Sequence, residues 1–226
     1  MCAKHKPHYG KSKIRIPAEV KSDFRVLYIH PAKQGVDFHV DETMGRSYGL
    51  IPVGLPALVN VLKKDGIPVR GINYSIERQI DPTFDIKNWL KQFPAAQIVL
   101  IDLHWYEHTY GAIQAARQCK EVLPQAYTVL GGLSATGFSK QILEQIPEVD
   151  FIVRGDGEMP LLALAKKILQ AEAAPSYTDI PNLSYRDGQS IRETECTYCA
   201  STSDLNELDF ADISFMDQYR DYYVHE

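Results

Sequence analysis

The chain carries Tyr127-Thr-Val-Leu-Gly-Gly-Leu-Ser-Ala-Thr-Gly137 and Asp150-Phe-Ile-Val-Arg-Gly-Asp-Gly-Glu-Met-Pro160, and these two stretches decide its fold. Each contains a short apolar strand pattern, a glycine-bearing turn and the start of a helix pattern. Two such units in succession place their turns side by side at the carboxyl edge of a parallel sheet, where ligands of open α/β sheets bind. The two stretches therefore predict a domain that binds an extended cofactor.

The strand patterns elsewhere in the chain extend this prediction to a whole domain. They are continuous apolar runs, as expected for strands that are buried on both faces of a parallel sheet. Helix patterns separate them, with apolar residues at i, i+3, i+4 and i+7. We predict an α/β, flavodoxin-like (Rossmann-like) doubly wound sheet of five parallel strands in the order 2-1-3-4-5. The predicted strands span residues 25–30, 69–74, 97–103, 126–130 and 151–154.

The pattern changes after residue 171. Asp187-Gly188 is a typical hairpin turn and predicts a small C-terminal hairpin. Residues 204–226 are acidic and aromatic, so this segment either packs on the sheet domain or leads into a further domain. We therefore predict a flexible basic arm at residues 1–23, the α/β domain at 24–171, and a hairpin with an acidic linker at 172–226.

Composition excludes several classes of function. The 226 residues carry a net charge of −5, which argues against a general nucleic-acid-binding surface. The sequence has no run of about 18 apolar residues, so we expect no membrane-spanning helix. Four cysteines and a polar, basic N-terminus without a secretory pattern favour a reduced, cytoplasmic protein.

The glycine turns allow two interpretations each. Gly131 and Gly132 either let a ligand approach the backbone or form a plain strand-to-helix turn. In Gly155-Asp-Gly-Glu158, backbone donors could face a ligand, or Asp156 and Glu158 could simply cap the next helix.

Candidate metal ligands are present, but each has a plain alternative. His39 lies in an acidic loop, and His104 could contact a metal or a ring, or be satisfied by Asp102 or Glu107. Cys196-Thr-Tyr-Cys199 has zinc spacing, but it is a single pair, which is weak evidence. We therefore assign no catalytic residue and no metal ligand.

Together the motifs resemble the N-terminal cobalamin-binding domain of cobalamin-dependent radical SAM proteins. The resemblance spans roughly residues 24–223. Its strongest elements are Gly49-Leu-Ile-Pro-Val-Gly-Leu-Pro-Ala-Leu58, Val129-Leu-Gly-Gly-Leu133, Val153-Arg-Gly-Asp-Gly-Glu-Met-Pro-Leu-Leu162 and Ile180-Pro-Asn-Leu-Ser-Tyr-Arg-Asp-Gly188.

The resemblance implies a corrinoid on the carboxyl edge of the sheet, with its nucleotide tail beside the fourth strand. The residues expected along the tail are Gly131, Gly132, Ser134 and Thr136. Those expected to border the corrin are Leu50, Ile51, Pro52, His104, Tyr106, Gly155 and Gly157.

Two motifs of related proteins are missing from the sequence. Without Asp-x-His-x-x-Gly after the first strand, we expect base-off cobalamin with no histidine ligand from the first loop. Without Cys-x-x-x-Cys-x-x-Cys, the chain cannot hold a [4Fe–4S] cluster for S-adenosylmethionine. The resemblance then implies that a radical SAM barrel follows residue 226 and supplies methyl transfer or related radical chemistry, so that this chain is not catalytic alone. The alternative is a non-catalytic signalling or interaction module that binds no corrinoid.

Overall fold

The computed structural model describes residues 23–33, 51–170 and 175–219. Within these ranges the chain forms a seven-stranded sheet in the order β2-β1-β3-β4-β5-β6-β7. Neighbouring strands from β2 to β5 pair in parallel, and the last two strands are antiparallel. The strands are β1 Val26–His30, β2 Val69–Asn73, β3 Ile98–Asp102, β4 Tyr127–Gly131, β5 Phe151–Val153, β6 Leu183–Asp187 and β7 Ser190–Glu193.

The predicted fold class and the order 2-1-3-4-5 of the parallel strands are confirmed. The predicted strand count was wrong, because the C-terminal hairpin joins the sheet instead of standing apart. β6 pairs with β5 and places the buried Tyr185 ring against Phe151, with ring centroids 6.1 Å apart. This pairing satisfies the edge of β5, which would otherwise expose unpaired backbone groups.

Helices cover both faces of the sheet. One core contains Leu27, Ile29, Trp89 and Leu143, and the other contains Tyr28 and its neighbours. Short 3₁₀ helices also occur at Tyr106–His108 and Ser214–Tyr219. No helix in the described residues is both long and apolar enough to span a membrane. The α-helices are α1 Gly54–Lys64, α2 Tyr74–Ile80, α3 Ile86–Leu90, α4 Thr109–Val122, α5 Leu133–Gly137, α6 Ser139–Gln145, α7 Glu158–Gln170 and α8 Thr202–Glu207.

The segment around Ser214–Tyr219 packs against β2, at one edge of the sheet. Phe215 and Met216 are buried there, and Gly71 makes the close approach possible. A Cβ at Gly71 would lie 2.9 Å from Met216 Cγ. Gln218 Nε2 donates a hydrogen bond of 2.8 Å to the Gly71 carbonyl. The domain boundaries remain predictions, and the predicted basic arm, apart from Asp23, lies outside the described residues.

Tyr219 anchors this segment and gives a testable stability effect. Its buried hydroxyl donates to the Glu77 carboxylate and accepts from the Asn73 N–H at 3.3 Å. Replacing Tyr219 by Phe would leave both partners without this hydroxyl. We expect a loss of about 1–3 kcal/mol in the free energy of unfolding, measured by urea denaturation. The control is Tyr110→Phe at a half-exposed ring, and an equal effect in both variants would contradict the assignment.

Candidate cofactor-binding site

An open cleft lies at the carboxyl ends of β3, β4 and β5, where α1 approaches the sheet. Its volume is about 350 Å³. Apolar side chains form most of its wall, and backbone-rich turns form its rim. Ligands of open α/β sheets bind at this edge because the strand ends and their turns meet there. The apolar wall includes Leu55, Leu58, Leu100, Val129, Val153 and Leu161.

The structure brings most of the predicted site residues to this cleft. Ile51, Tyr106 and Ser134 are described but do not line it, and Tyr106 is 75% exposed. Leu50 lies outside the described residues. The predicted residues that line the cleft are Pro52, His104, Gly131, Gly132, Thr136, Gly155 and Gly157.

Gly131 and Gly132 line the same cleft, but they lack side chains for different reasons. A Cβ on Gly131 would have only the Val153 carbonyl oxygen within 4 Å, at 3.7 Å. A Cβ on Gly132 would lie 2.7 Å from His104 Cα, and Gly132 has a φ of +107°. Gly131 therefore leaves space for a ligand, whereas Gly132 allows two stretches of backbone to approach each other.

Two hydroxyls connect the turns at the carboxyl edge. Ser134 Oγ donates to the His104 carbonyl at 3.1 Å, which links α5, the helix after β4, to the turn after β3. Thr136 Oγ1 accepts from the Gly155 N–H at 3.0 Å, which links α5 to the turn after β5. Both hydroxyls therefore hold the rim of the cleft together.

Asn182 holds the turn after β5 against the C-terminal part of the chain. Its Nδ2 donates to the Asp156 carbonyl at 3.1 Å and to the Tyr198 carbonyl at 2.9 Å. Asp156 Oδ2 accepts from the Ala200 N–H at 2.9 Å, so this carboxylate stabilises the same junction. Burial raises the pKa of Glu158 above its usual value, and hydrogen bonds from the N–H groups of Glu158 and Gly157 offset this only in part. Glu158 therefore fits the predicted helix-capping role.

Asp102 supplies a buried carboxylate at the cleft. Its Oδ1 accepts from the Tyr28 hydroxyl at 2.5 Å and lies 2.9 Å from His30 Nδ1. Burial raises the pKa of Asp102, but the charge of His30 and the hydrogen bonds from His30 and Tyr28 outweigh it, so the pKa lies below its usual value. The sequence analysis considered His104 as the partner of Asp102, whereas the structure pairs Asp102 with His30. The strand order could have indicated this pair, because β1 and β3 are neighbours and end at His30 and Asp102.

Cys196 and Cys199 are exposed free thiols. The Cys199 thiol donates a hydrogen bond to Asp156, and this bond and the negative charge of Asp156 raise the pKa of Cys199, so its thiolate is disfavoured. This arrangement fits the plain alternative of two unpaired thiols at the surface.

The fold and the cleft together define a flavodoxin-like, cofactor-binding α/β domain. A family model described as "B12 binding domain" matches residues 46–165, just over half of the 226 residues. The chain belongs to the B12-binding domain family. This membership favours the cobalamin hypothesis over the alternative of an interaction module without corrinoid.

Curated relatives share only part of their length with this chain. The anaerobic magnesium-protoporphyrin IX monomethyl ester cyclase of Cereibacter sphaeroides is 38% identical over 85 residues, which is 38% of this chain and 14% of the relative. The hopanoid C-3 methylase of Methylococcus capsulatus is 27% identical over 125 residues, which is 55% of this chain and 22% of the relative. The matched region is therefore less than a quarter of either relative.

Two solved structures share the fold. The radical S-adenosylmethionine methyltransferase TsrM from Kitasatospora setae aligns with a TM-score of 0.56 and 18% identity, over 75% of this chain and 30% of that chain. The cobalamin-dependent S-adenosylmethionine radical enzyme OxsB, solved with aqua-cobalamin bound, aligns with a TM-score of 0.60 and 14% identity. That alignment covers 86% of this chain and 25% of OxsB.

Proposed function

We propose that this chain is the cobalamin-binding domain of a B12-dependent radical SAM enzyme, and that it positions the corrinoid for methyl transfer or related radical chemistry. The observation that carries the proposal is an open, largely apolar cleft at the carboxyl edge of a sheet in a member of the B12-binding family. The cofactor supplies the group-transfer chemistry when bound, and the protein supplies binding and orientation.

The residues of the cleft fit a large ligand that is apolar on its faces and polar around its rim. Leu55, Leu58 and Val153 offer apolar surface, and the turn at Gly155 and Gly157 offers backbone polar groups. Such a combination of apolar walls and a few polar groups is typical of cofactor sites. In the proposed arrangement this surface supports the corrin, with Leu50, Ile51, Pro52, His104 and Tyr106 at its border.

Gly131 marks the proposed path of the nucleotide tail. It ends β4, lines the cleft and leaves open space where other residues carry a side chain. Gly132, Ser134 and Thr136 continue along this path. The structural roles of these three residues make the path rigid, which lowers the entropy cost of ordering it around a ligand.

The test is a titration of the purified 226-residue chain with hydroxocobalamin, followed by visible absorbance. We expect saturable binding of one equivalent. Circular dichroism on the same sample checks that the chain is folded. A folded chain that shows no saturable binding would contradict the proposal.

We further propose that cobalamin binds base-off, without a histidine ligand from the first loop. The Co(II) form bound to the chain should give an electron paramagnetic resonance spectrum without splitting from a coordinated nitrogen. His39→Ala and His104→Ala variants should give the same spectrum as the unaltered chain. Nitrogen splitting that disappears in either variant would identify that histidine as a ligand and contradict this part of the proposal.

A radical SAM barrel is the proposed partner domain, and it would hold the [4Fe–4S] cluster and S-adenosylmethionine. The extent of the curated relatives beyond the matched region supports this proposal. Extending the reading frame past residue 226 is expected to reveal a Cys-x-x-x-Cys-x-x-Cys motif. A long extension without three such cysteines would contradict the proposed partner.

A further inference from the structure

Three side chains that can bind a metal ion meet beneath the cleft. His30, Asp102 and His108 are 1%, 8% and 5% exposed, so all three are buried. Each offers a ligand atom, and these atoms all lie within 4.8 Å of one another. The residues come from β1, β3 and the 3₁₀ helix Tyr106–His108, so the fold itself brings them together.

The packing of α4 explains how His108 reaches this position. α4 begins directly after His108, and its Gly111 contacts the loop that follows β1. A Cβ on Gly111 would lie 2.2 Å from the Ala32 carbonyl oxygen, so a side chain here would push the helix away. In this packing the centroids of the His108 and His30 rings lie 5.0 Å apart.

Hydrogen bonds among the described residues do not satisfy all the polar atoms of this cluster. Asp102 Oδ1 accepts a hydrogen bond from the Tyr28 hydroxyl and is also within hydrogen-bond distance of His30 Nδ1. Asp102 Oδ2, His30 Nε2 and His108 Nδ1 are buried and have no hydrogen-bond partner in the described part of the chain. A buried polar atom without a partner destabilises the fold. Three such atoms in one cluster point to an occupant that binds nitrogen and oxygen donors.

The three side chains are of types that bind cations. Two imidazoles and one carboxylate are ligands that divalent first-row transition metals prefer.

We propose that His30, Asp102 and His108 bind one divalent first-row transition-metal ion. Asp102 also lines the cleft, so the proposed site borders the cleft. The Tyr28 hydroxyl donates to Asp102 Oδ1 and helps to orient the carboxylate. The proposal rests on residues other than those proposed to bind cobalamin, and it stands whether or not cobalamin binds.

The test uses the 226-residue chain, freed of metal with a chelator and without cobalamin, titrated with Zn²⁺ in a calorimeter. We expect one equivalent to bind, and we expect His108→Ala, which removes a ligand, to weaken binding by more than the about 10–100-fold that loss of an outer-shell partner costs. The control is a Cys196→Ser, Cys199→Ser double variant, because these exposed thiols are the other zinc-type pair. This variant should keep the affinity of the unaltered chain.

A second measurement does not depend on a folded variant. X-ray absorption at the zinc edge of the unaltered, loaded chain should show a first shell of nitrogen and oxygen without sulfur. Absence of stoichiometric binding, as expected if ordered water fills the cluster, would overturn the proposal. So would a sulfur-containing shell, or an affinity that survives in a folded His108→Ala variant.

Discussion

Gly131→Leu is expected to weaken hydroxocobalamin binding by at least about 100-fold while leaving the free energy of unfolding nearly unchanged. Gly131 lines the cleft, and a Cβ there would meet only one atom within 4 Å, at an ordinary contact distance. The leucine side chain would therefore occupy ligand space without straining the strand. Absorbance titration gives the dissociation constant, and urea denaturation gives the stability.

The matched control for this prediction is Gly137→Leu. Gly137 ends α5, does not line the cleft, and has no atom within 4 Å of an added Cβ. It adds the same side chain at a glycine that follows Thr136 in sequence but lies outside the lining of the cleft. Equal dissociation constants in the two variants would place the nucleotide tail elsewhere.

Gly132→Ala is expected to have the opposite effect and to destabilise the fold. The added Cβ would lie 2.7 Å from His104 Cα and 2.8 Å from His104 N, and neither backbone atom can move freely. In addition, a φ of +107° is one that side-chain-bearing residues rarely adopt. The clash and the backbone strain together are expected to cost about 2–6 kcal/mol in the free energy of unfolding, measured by urea denaturation.

Gly188→Ala separates the two contributions to this loss. Gly188 has a φ of +60° in the hairpin turn, but an added Cβ there would meet nothing within 4 Å. It should therefore show only the backbone strain, about 1–2 kcal/mol. Losses of the same size at both glycines would mean that the turns after β3 and β4 do not approach each other as described.

The parallel core of the fold could be predicted because its signals are local. Continuous apolar runs indicate strands that are buried on both faces, and glycine turns after β4 and β5 mark the carboxyl edge. The docking of the hairpin could not be predicted in this way. Asp187-Gly188 specifies a turn, but the pairing of Tyr185 with Phe151 depends on a contact between distant parts of the chain.

The sequence patterns also did not predict the short helix after β2, and the reason is physical. The helix Tyr74–Ile80 is too short for an apolar period to stand out, and it begins with the Asn73 side chain accepting from the Ile76 N–H at 3.2 Å. Such a cap is easily overlooked when the preceding strand runs directly into the helix.

The candidate site was predictable in its location and less so in its contacts. The glycine turns predicted a site at the carboxyl edge of the sheet, where the ends of the parallel strands meet, and a cleft lies at that edge. The different roles of Gly131 and Gly132 depend on a backbone angle and a close approach that sequence patterns do not contain. The pairing of Asp102 with His30 joins residues 72 positions apart, whereas His104 lies only two positions from Asp102 in the sequence.

Hydrogen–deuterium exchange of the chain with and without hydroxocobalamin tests the central claim most directly, because it reports both binding and its location. We expect cobalamin to slow amide exchange at residues 131–136 and 155–158, the two segments on the rim of the cleft. Exchange in β7, which does not line the cleft, should stay unchanged. Unchanged exchange in both turns under saturating cobalamin, or protection confined to the hairpin, would contradict a corrinoid bound at the carboxyl edge of the sheet.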